Sequence, residues 1–194
     1  MTGFLSGEAF AVDTKNSGTL TGLRWGSASE LPVLALHGWL DNASSFAPLA
    51  SHLSGFQLLA LDLPGHGHSQ HRPPGMRYHL LDYVPAVLEA AEGLGWESGL
   101  IMGHSLGGAI AGLVAIAAPE RVKAIILIEG LGPLSESETK LPGRLRNSVE
   151  GYARAQTRSS PVYPDIEPLI ATRTRIGAMH EASARLLIER NVRE

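Results

Sequence analysis

The feature that most restricts the fold of this 194-residue chain is an alternation of short apolar runs with longer segments of helical spacing. The apolar runs cover residues 32–36, 56–61, 99–103 and 122–128, and the helical segments cover 43–53, 78–94 and 106–118. Strands that are apolar at nearly every residue are typical of a parallel sheet with helices on both faces. Up to residue 128 the sequence therefore predicts an α/β fold.

The two ends of the chain differ from this alternating middle. Strand-like runs at 8–12 and 19–25 flank a polar, Gly-containing turn, which predicts an antiparallel N-terminal hairpin. After Gly130 the chain shows helical spacing interrupted by prolines. Because 194 residues suit one hydrophobic core, we predict one α/β core over residues 1–134, followed by a helical segment over 135–194.

Composition excludes several kinds of chemistry and of partner. The chain has no cysteine, so disulfides, thiolate metal sites and cysteine nucleophiles are excluded. Arginines in the C-terminal part alternate with glutamates and apolar residues, which indicates a solvated helical surface and no nucleic-acid partner. No apolar stretch is long enough for a membrane span, and the first twelve residues lack a signal-peptide pattern. We therefore expect a cytoplasmic location.

A candidate nucleophile lies in the segment Gly103-His104-Ser105-Leu106-Gly107, between a predicted strand and a predicted helix. A serine at the apex of so sharp a turn needs small neighbours two residues away on each side, and both are glycine. The start of the helix also places free backbone N–H groups beside any anion that forms there. The alternative is a glycine-rich packing turn with an inert serine.

Leu36-His37-Gly38-Trp39 closes the third predicted strand and could supply an oxyanion hole. Acyl transfer needs two N–H donors directed at the developing negative charge. We predict that the backbone N–H groups of Leu106 and Trp39 are those donors. The alternative is that His37-Gly38 forms a tight turn with no catalytic role.

Three blocks in this order resemble the α/β-hydrolase superfamily: His37-Gly38-Trp39, the segment Asp62-Leu63-Pro64-Gly65-His66-Gly67-His68-Ser69, and Gly103-His104-Ser105-Leu106-Gly107-Gly108. The chain is most similar to the serine hydrolase-like subgroup, a relative of the haloalkane dehalogenases and epoxide hydrolases. Those two enzyme groups have aspartate at the position of Ser105, in the strand-to-helix turn called the nucleophile elbow. Ser105 therefore argues against both activities. The resemblance implies about six of the eight strands of the fold, followed by the helical cap.

The same resemblance implies roles for individual residues. Ser105 is the nucleophile, Trp39 and Leu106 form the oxyanion hole, and His37, Gly38 and His104 lie at the substrate site. Glu129, at the end of the sixth strand, is the candidate triad acid; alternatively it caps the strand or pairs with a cap arginine. The family places its catalytic histidine after the eighth strand, so we expect a fragment of a longer product. A naturally truncated relative and completion by a partner chain are the alternatives.

The leading functional hypothesis is a serine hydrolase of the esterase or lipase type, acting on a small-molecule acyl substrate without cofactor or metal. Apolar cap residues are expected to wall its acyl pocket: Leu141, Val149, Tyr152, Val162, Tyr163, Leu169, Ile170 and Met179. The alternatives are a catalytically silent interaction protein and a cofactor-free perhydrolase. We also expect an uncovered apolar strand edge, which favours self-association.

Overall fold

The computed structural model describes residues 6–73, 75–132, 135, 137–155 and 162–192, without the side chains of 153–155. Within these residues a six-stranded sheet has the order β1-β2-β4-β3-β5-β6. The strands are β1 (Glu8–Asp13), β2 (Thr19–Trp25), β3 (Leu31–Leu36), β4 (Phe56–Leu61), β5 (Gly99–His104) and β6 (Val122–Ile128).

Strand direction divides the sheet into two parts. β1 and β2 form an antiparallel hairpin, and β2 pairs antiparallel with β4. β4, β3, β5 and β6 run parallel to one another. The predicted mostly parallel sheet with an antiparallel N-terminal hairpin is confirmed. Because β3 and β5 are parallel neighbours, the loops that follow them lie at the same edge of the sheet.

The helices are α1 (Ala47–Ala50), α2 (Tyr83–Gly93), α3 (Leu106–Ala117), α4 (Leu141–Ala155), α5 (Glu167–Gly177) and α6 (Glu181–Asn191). Short 3-10 turns precede α1, α2 and α4, at Ala43–Phe46, Leu80–Asp82 and Glu138–Lys140. The segment 43–53, predicted as one helix, is therefore a 3-10 turn followed by a single α-helical turn. The Asn42 side chain begins it by accepting a hydrogen bond from Ser44 N at 3.0 Å.

The core lies on both faces of the sheet, as strands apolar at nearly every residue require. Leu34 and Leu36 of β3 pack on one face in the cluster that includes α2 and α3. Val33 and Ala35, the alternate residues, pack on the other face with the 43–50 segment, which includes Phe46. This alternation follows from the two-residue period of a strand. The sheet is thereby fixed between two helical layers.

The helices after β6 lie near the carboxyl ends of the parallel strands. α5 and α6 pack against each other, and α6 also packs on the turn at Ala43–Phe46. The division at residue 134 stays a prediction, and Leu134 itself lies outside the described residues. In the part of the chain that the structure describes, no helix is long and apolar enough to cross a membrane.

Candidate active site

The backbone at Ser105 has a conformation that is rare for a residue with a side chain. Its φ is 49° and its ψ is −110°, so the strained turn persists because its surroundings hold it. Ser105 N donates to Ile128 O at 2.9 Å, and Ser105 O accepts from Gly108 N at 2.9 Å. Ser105 is exposed. The sharp turn between β5 and α3 therefore places the serine on the surface.

Glycines are required around this turn because other backbone segments pass very close to it. A Cβ on Gly103 would lie 2.2 Å from Gly107 O, and one on Gly107 would lie 2.0 Å from Leu36 O. A Cβ on Gly130 would lie 2.5 Å from Ser105 O. Real Cβ atoms essentially never approach so closely, so the ends of β3, β5 and β6 meet at Ser105 through glycine.

The two predicted oxyanion donors have free N–H groups. Leu106 is the first residue of α3, and helix geometry leaves its N–H without an intrahelical acceptor. Trp39 follows β3 in a turn where Asp41 N donates to Gly38 O at 3.1 Å. Among the described residues, neither N–H has a hydrogen-bond acceptor. Both donors therefore remain available at the carboxyl ends of neighbouring strands.

His37 lies in the core and not at the surface where we expected it to contact substrate. Its side chain has no exposed area. Leu63 N donates to His37 Nε2 at 3.0 Å, so the ring proton is on Nδ1 and bonds Gly38 O at 2.8 Å. Burial lowers the pKa of the His37 imidazole to about 4, so the ring is neutral at neutral pH. His37 therefore joins the loops after β3 and β4 as a positioning residue.

His104 lies between two carboxylates beside the elbow. Its Nδ1 is 3.6 Å from Asp41 Oδ2, and its Nε2 is 3.9 Å from Glu129 Oε2. A Cβ on the buried Gly38 would lie 2.8 Å from His104 Nδ1, so the imidazole packs on the candidate oxyanion loop. Asp41 also forms an ion pair with Arg173 of α5. The structure thus places Gly38 and Glu129 close to His104, the residue before Ser105, and their roles in one site stay a prediction.

Glu129 follows β6 with a φ of 51°, a left-handed conformation that is uncommon outside glycine. Its side chain is 85% exposed. Among the described residues, Glu129 lies near His104 and forms no ion pair with a cap arginine. Its role as triad acid stays a prediction.

A hydrogen-bonded general base is absent from the described part of the site. Among the described residues, none pairs with the Ser105 hydroxyl. His66 is buried, with its ring centroid 5.3 Å from that of Trp39. The imidazole that a serine nucleophile needs is therefore not provided by these contacts.

An apolar cavity of about 410 Å³ adjoins the elbow. Its walls include Phe46 and Leu49, His104, and Met179 and Leu186 from the cap. Met179 was predicted to wall an acyl pocket, whereas Ile170 is buried and Tyr152 lines a different groove. α6 lies within the segment predicted to be helical, but its residues were not predicted to line this cavity, although those at 184, 187 and 188 have amphipathic spacing.

A buried ion pair fixes α6 over the strand ends. Arg190 Nε donates to both Asp62 oxygens at 3.0 Å, and its Nη2 bonds Oδ2 at 2.6 Å. Asp62 also accepts from Ala43 N at 2.8 Å and from the Thr21 hydroxyl at 2.7 Å. Burial alone would raise the pKa of Asp62, but Arg190 and these donors outweigh it and lower that pKa. The carboxylate thus stays charged inside the protein.

Asn42 adds a second polar contact between the same elements. Its Nδ2 donates to Leu187 O at 2.8 Å and to Asn191 Oδ1 at 3.1 Å. Gly67 N donates to the same Asn191 oxygen at 3.2 Å. α6 is therefore hydrogen-bonded to the loops after β3 and β4, which also hold Trp39 and His37. No group of three His, Asp or Glu side chains that could hold a metal occurs among the residues described.

A mostly parallel sheet, an exposed serine on a glycine-lined turn and two free N–H groups beside it define the class of α/β proteins with a nucleophile elbow. The family model described as "alpha/beta hydrolase fold" matches residues 32–180. The chain belongs to the α/β-hydrolase fold family.

Similar proteins of known sequence place the chain in the serine hydrolase-like subgroup. The chain is 35% identical to a "Serine hydrolase-like protein" of Danio rerio over 182 residues, covering 91% of this chain and 56% of that protein. It is 42% identical to a "Serine hydrolase-like protein" of Homo sapiens over 147 residues, covering 74% of this chain and 72% of the relative. The predicted family and subgroup are confirmed.

Solved structures agree with this fold. A hypothetical protein from Pseudomonas aeruginosa superposes with a TM-score of 0.84 at 39% identity, covering 96% of this chain and 65% of that one. The thioesterase domain from the curacin biosynthetic pathway has a TM-score of 0.78 at 26% identity, covering 98% and 69%. The chain thus spans about two thirds of these structures and 56% of the Danio rerio relative.

Proposed function

We propose that this protein is a serine hydrolase that cleaves a carboxylic ester or related acyl bond through an acyl-enzyme on Ser105. The observation that carries the proposal is the exposed serine at φ 49°, beside two backbone N–H groups without acceptors. Serine hydrolase-like relatives and a thioesterase neighbour support hydrolysis as the reaction class. The esterase type is our own finer assignment.

In the proposed reaction, Ser105 Oγ attacks the acyl carbon as its proton passes to a general base. Negative charge develops on the acyl oxygen, which accepts hydrogen bonds from Trp39 N and Leu106 N. Collapse breaks the bond to the leaving group, which takes the proton, and water then hydrolyses the acyl-serine. Glu129 is the carboxylate that we assign to orient the base and stabilise its cation. In the family pattern, the base follows strands that the longer relatives contain.

The apolar cavity beside His104 suits the acyl chain of such a substrate. Its volume of about 410 Å³ and its walls of Phe46, Leu49, Met179 and Leu186 favour a short to medium alkyl chain. A few polar groups, among them Asp41, lie at the same cavity and would orient the acyl group.

Release of p-nitrophenolate from p-nitrophenyl butyrate tests the proposal. We expect a burst of at most one equivalent per chain, because p-nitrophenolate is a good leaving group, so Ser105 is acylated faster than water hydrolyses the more stable acyl-serine. Ser105→Ala is expected to reduce release to the buffer rate, whereas the exposed control Ser51→Ala keeps the burst. A burst that survives in Ser105→Ala would remove Ser105 from the reaction.

A catalytically silent interaction protein is the second candidate. It is favoured by the lack of a base hydrogen-bonded to Ser105 among the described residues. No burst from a folded chain would support this candidate. The perhydrolase alternative, the cap boundary and the cytoplasmic location stay predictions.

We also propose that copies of this chain associate through β6, which lies at the end of the sheet. Ile125, Ile126 and Ile128 of this strand are each more than a third exposed, although they are apolar. No described strand pairs with the outer side of β6. An exposed apolar edge is a template for pairing with another strand.

Sedimentation velocity over a concentration series is expected to show dimers or larger species. Ile126→Lys is expected to shift the distribution to monomer, because a charge on an edge strand disfavours pairing. Leu81→Lys, at an exposed apolar residue outside the sheet, is the control and should leave the distribution unchanged. A monomeric unsubstituted chain at every concentration would contradict this proposal.

A further inference from the structure

A second groove, with a volume of about 730 Å³, is lined by Trp39. One wall comes from the segment after β4 and includes His71, Arg77 and His79, and the other is α4 at Ser148 and Tyr152. Trp39 is 57% exposed and lines this groove with its side chain. The groove therefore begins at the residue whose N–H we assign to the oxyanion hole.

Arg77 brings an uncompensated positive charge to this groove. Its Nη1 and Nη2 each donate to Ser148, to the hydroxyl and the carbonyl oxygen, both at 2.9 Å. Its guanidinium carbon is 4.4 Å from the centre of the Tyr152 ring. All these partners are neutral, and among the described residues no carboxylate forms an ion pair with Arg77. The charge is therefore positioned but not neutralised.

The other charged groups at the groove do not cancel this charge. Arg72 pairs with Asp82 at 2.7 Å, so these two charges offset each other. The hydrogen bond from Arg72 and the positive charge of Arg72 both lower the pKa of Asp82. The Asp82 carboxylate therefore stays ionised within the pair. His71 and His79 also line the groove, and an imidazole side chain brings no negative charge to it. The groove is thus net positive.

We propose that this groove binds the anionic end of the substrate, a carboxylate or a phosphate attached to the ester or thioester. The assignment rests on the proposed function. Arg77 has five N–H donors and uses two on Ser148, so three remain for an oxyanion. Trp39 and Tyr152 supply flat apolar surface for the chain between the anion and the reacting carbonyl. Arg77 is a binding residue and takes no part in bond cleavage.

Calorimetric titration of the full chain tests this proposal without relying on turnover. The probes are methyl hydrogen glutarate, which carries one carboxylate, the neutral dimethyl glutarate, and inorganic phosphate. We expect the anions to bind and the neutral diester to bind at least about tenfold more weakly, since a charge-assisted hydrogen bond contributes roughly 1.5–3 kcal/mol. The preferred anion then identifies the group on the substrate.

Substitutions at Arg77 distinguish the effect of its charge on anion binding from an effect on the structure. Arg77→Gln is expected to weaken anion binding about tenfold and Arg77→Lys to retain part of it. Arg24→Gln, which removes an exposed arginine at the distant β1–β2 hairpin, is the control and should bind as the unsubstituted chain does. Equal binding of the neutral diester, or an equal loss of anion binding in Arg24→Gln, would overturn the proposal. Failure of Ser105 to react while anions still bind would overturn the proposed function and leave the anion site standing.

Discussion

Replacing Asp62 with asparagine is expected to lower the free energy of unfolding by about 3–5 kcal/mol, because the substitution leaves a buried guanidinium without its counter-charge. The Asp62 side chain has no exposed area and that of Arg190 is 10% exposed. A loss of this size is a large part of the stability of an ordinary domain. Urea unfolding followed by circular dichroism measures it.

The Asp62 carboxylate also predicts a dependence on pH. Its folded-state pKa lies below the ordinary value of 3.8, so its contribution is complete above that value and is lost as the pH falls through the folded-state pKa. Asp62→Asn should therefore differ most from the unsubstituted chain near neutral pH and least in strong acid.

Two further variants make the Asp62 result specific. Glu167→Gln breaks the exposed ion pair with Arg185 between α5 and α6, and it should change stability little. Combining Asp62→Asn with Arg190→Gln should cost less than the sum of the two single substitutions, because the pair is then removed together. A loss in Asp62→Asn no larger than that in Glu167→Gln would show that the pair does not hold α6 in place.

The strands could be predicted closely from the sequence because each is a short apolar run bounded by turn residues. The predicted run at 122–128 is β6 itself, and β5 extends by one residue, to His104. The turn at Ser105 could be predicted as well, because glycines two residues before and after a serine are typical of a sharp strand-to-helix turn. Local patterns therefore determined both the sheet and the elbow.

Contacts between residues far apart in the chain could not be predicted in the same way. The pairing of Asp62 with Arg190, 128 residues later, has no local signal in the sequence. His37 was expected at the substrate, yet the Leu63 N–H and the Gly38 carbonyl hold its ring in the core. Which way a strand-end side chain points depends on the neighbouring loop, which a single sequence does not specify.

The segment after β6 contains one feature that the sequence predicted and one that it could not predict. Glu129 was expected at a strand end, and the structure places it beside His104 there. Its left-handed backbone could not be predicted, because nothing in the residue type favours it. The close approach of Gly130 to Ser105 explains how this segment meets the elbow.

The most direct test of Ser105 as the nucleophile is peptide mapping by mass spectrometry after reaction with a fluorophosphonate. The phosphonyl group mimics the tetrahedral oxyanion, so if the Trp39 and Leu106 N–H groups form the proposed oxyanion hole, Ser105 should react before other serines. We expect one adduct per chain, on the peptide that contains Ser105, and total loss of this adduct in Ser105→Ala. An adduct on other serines, or equal labelling of Ser105→Ala, would contradict the assignment of Ser105 as the nucleophile.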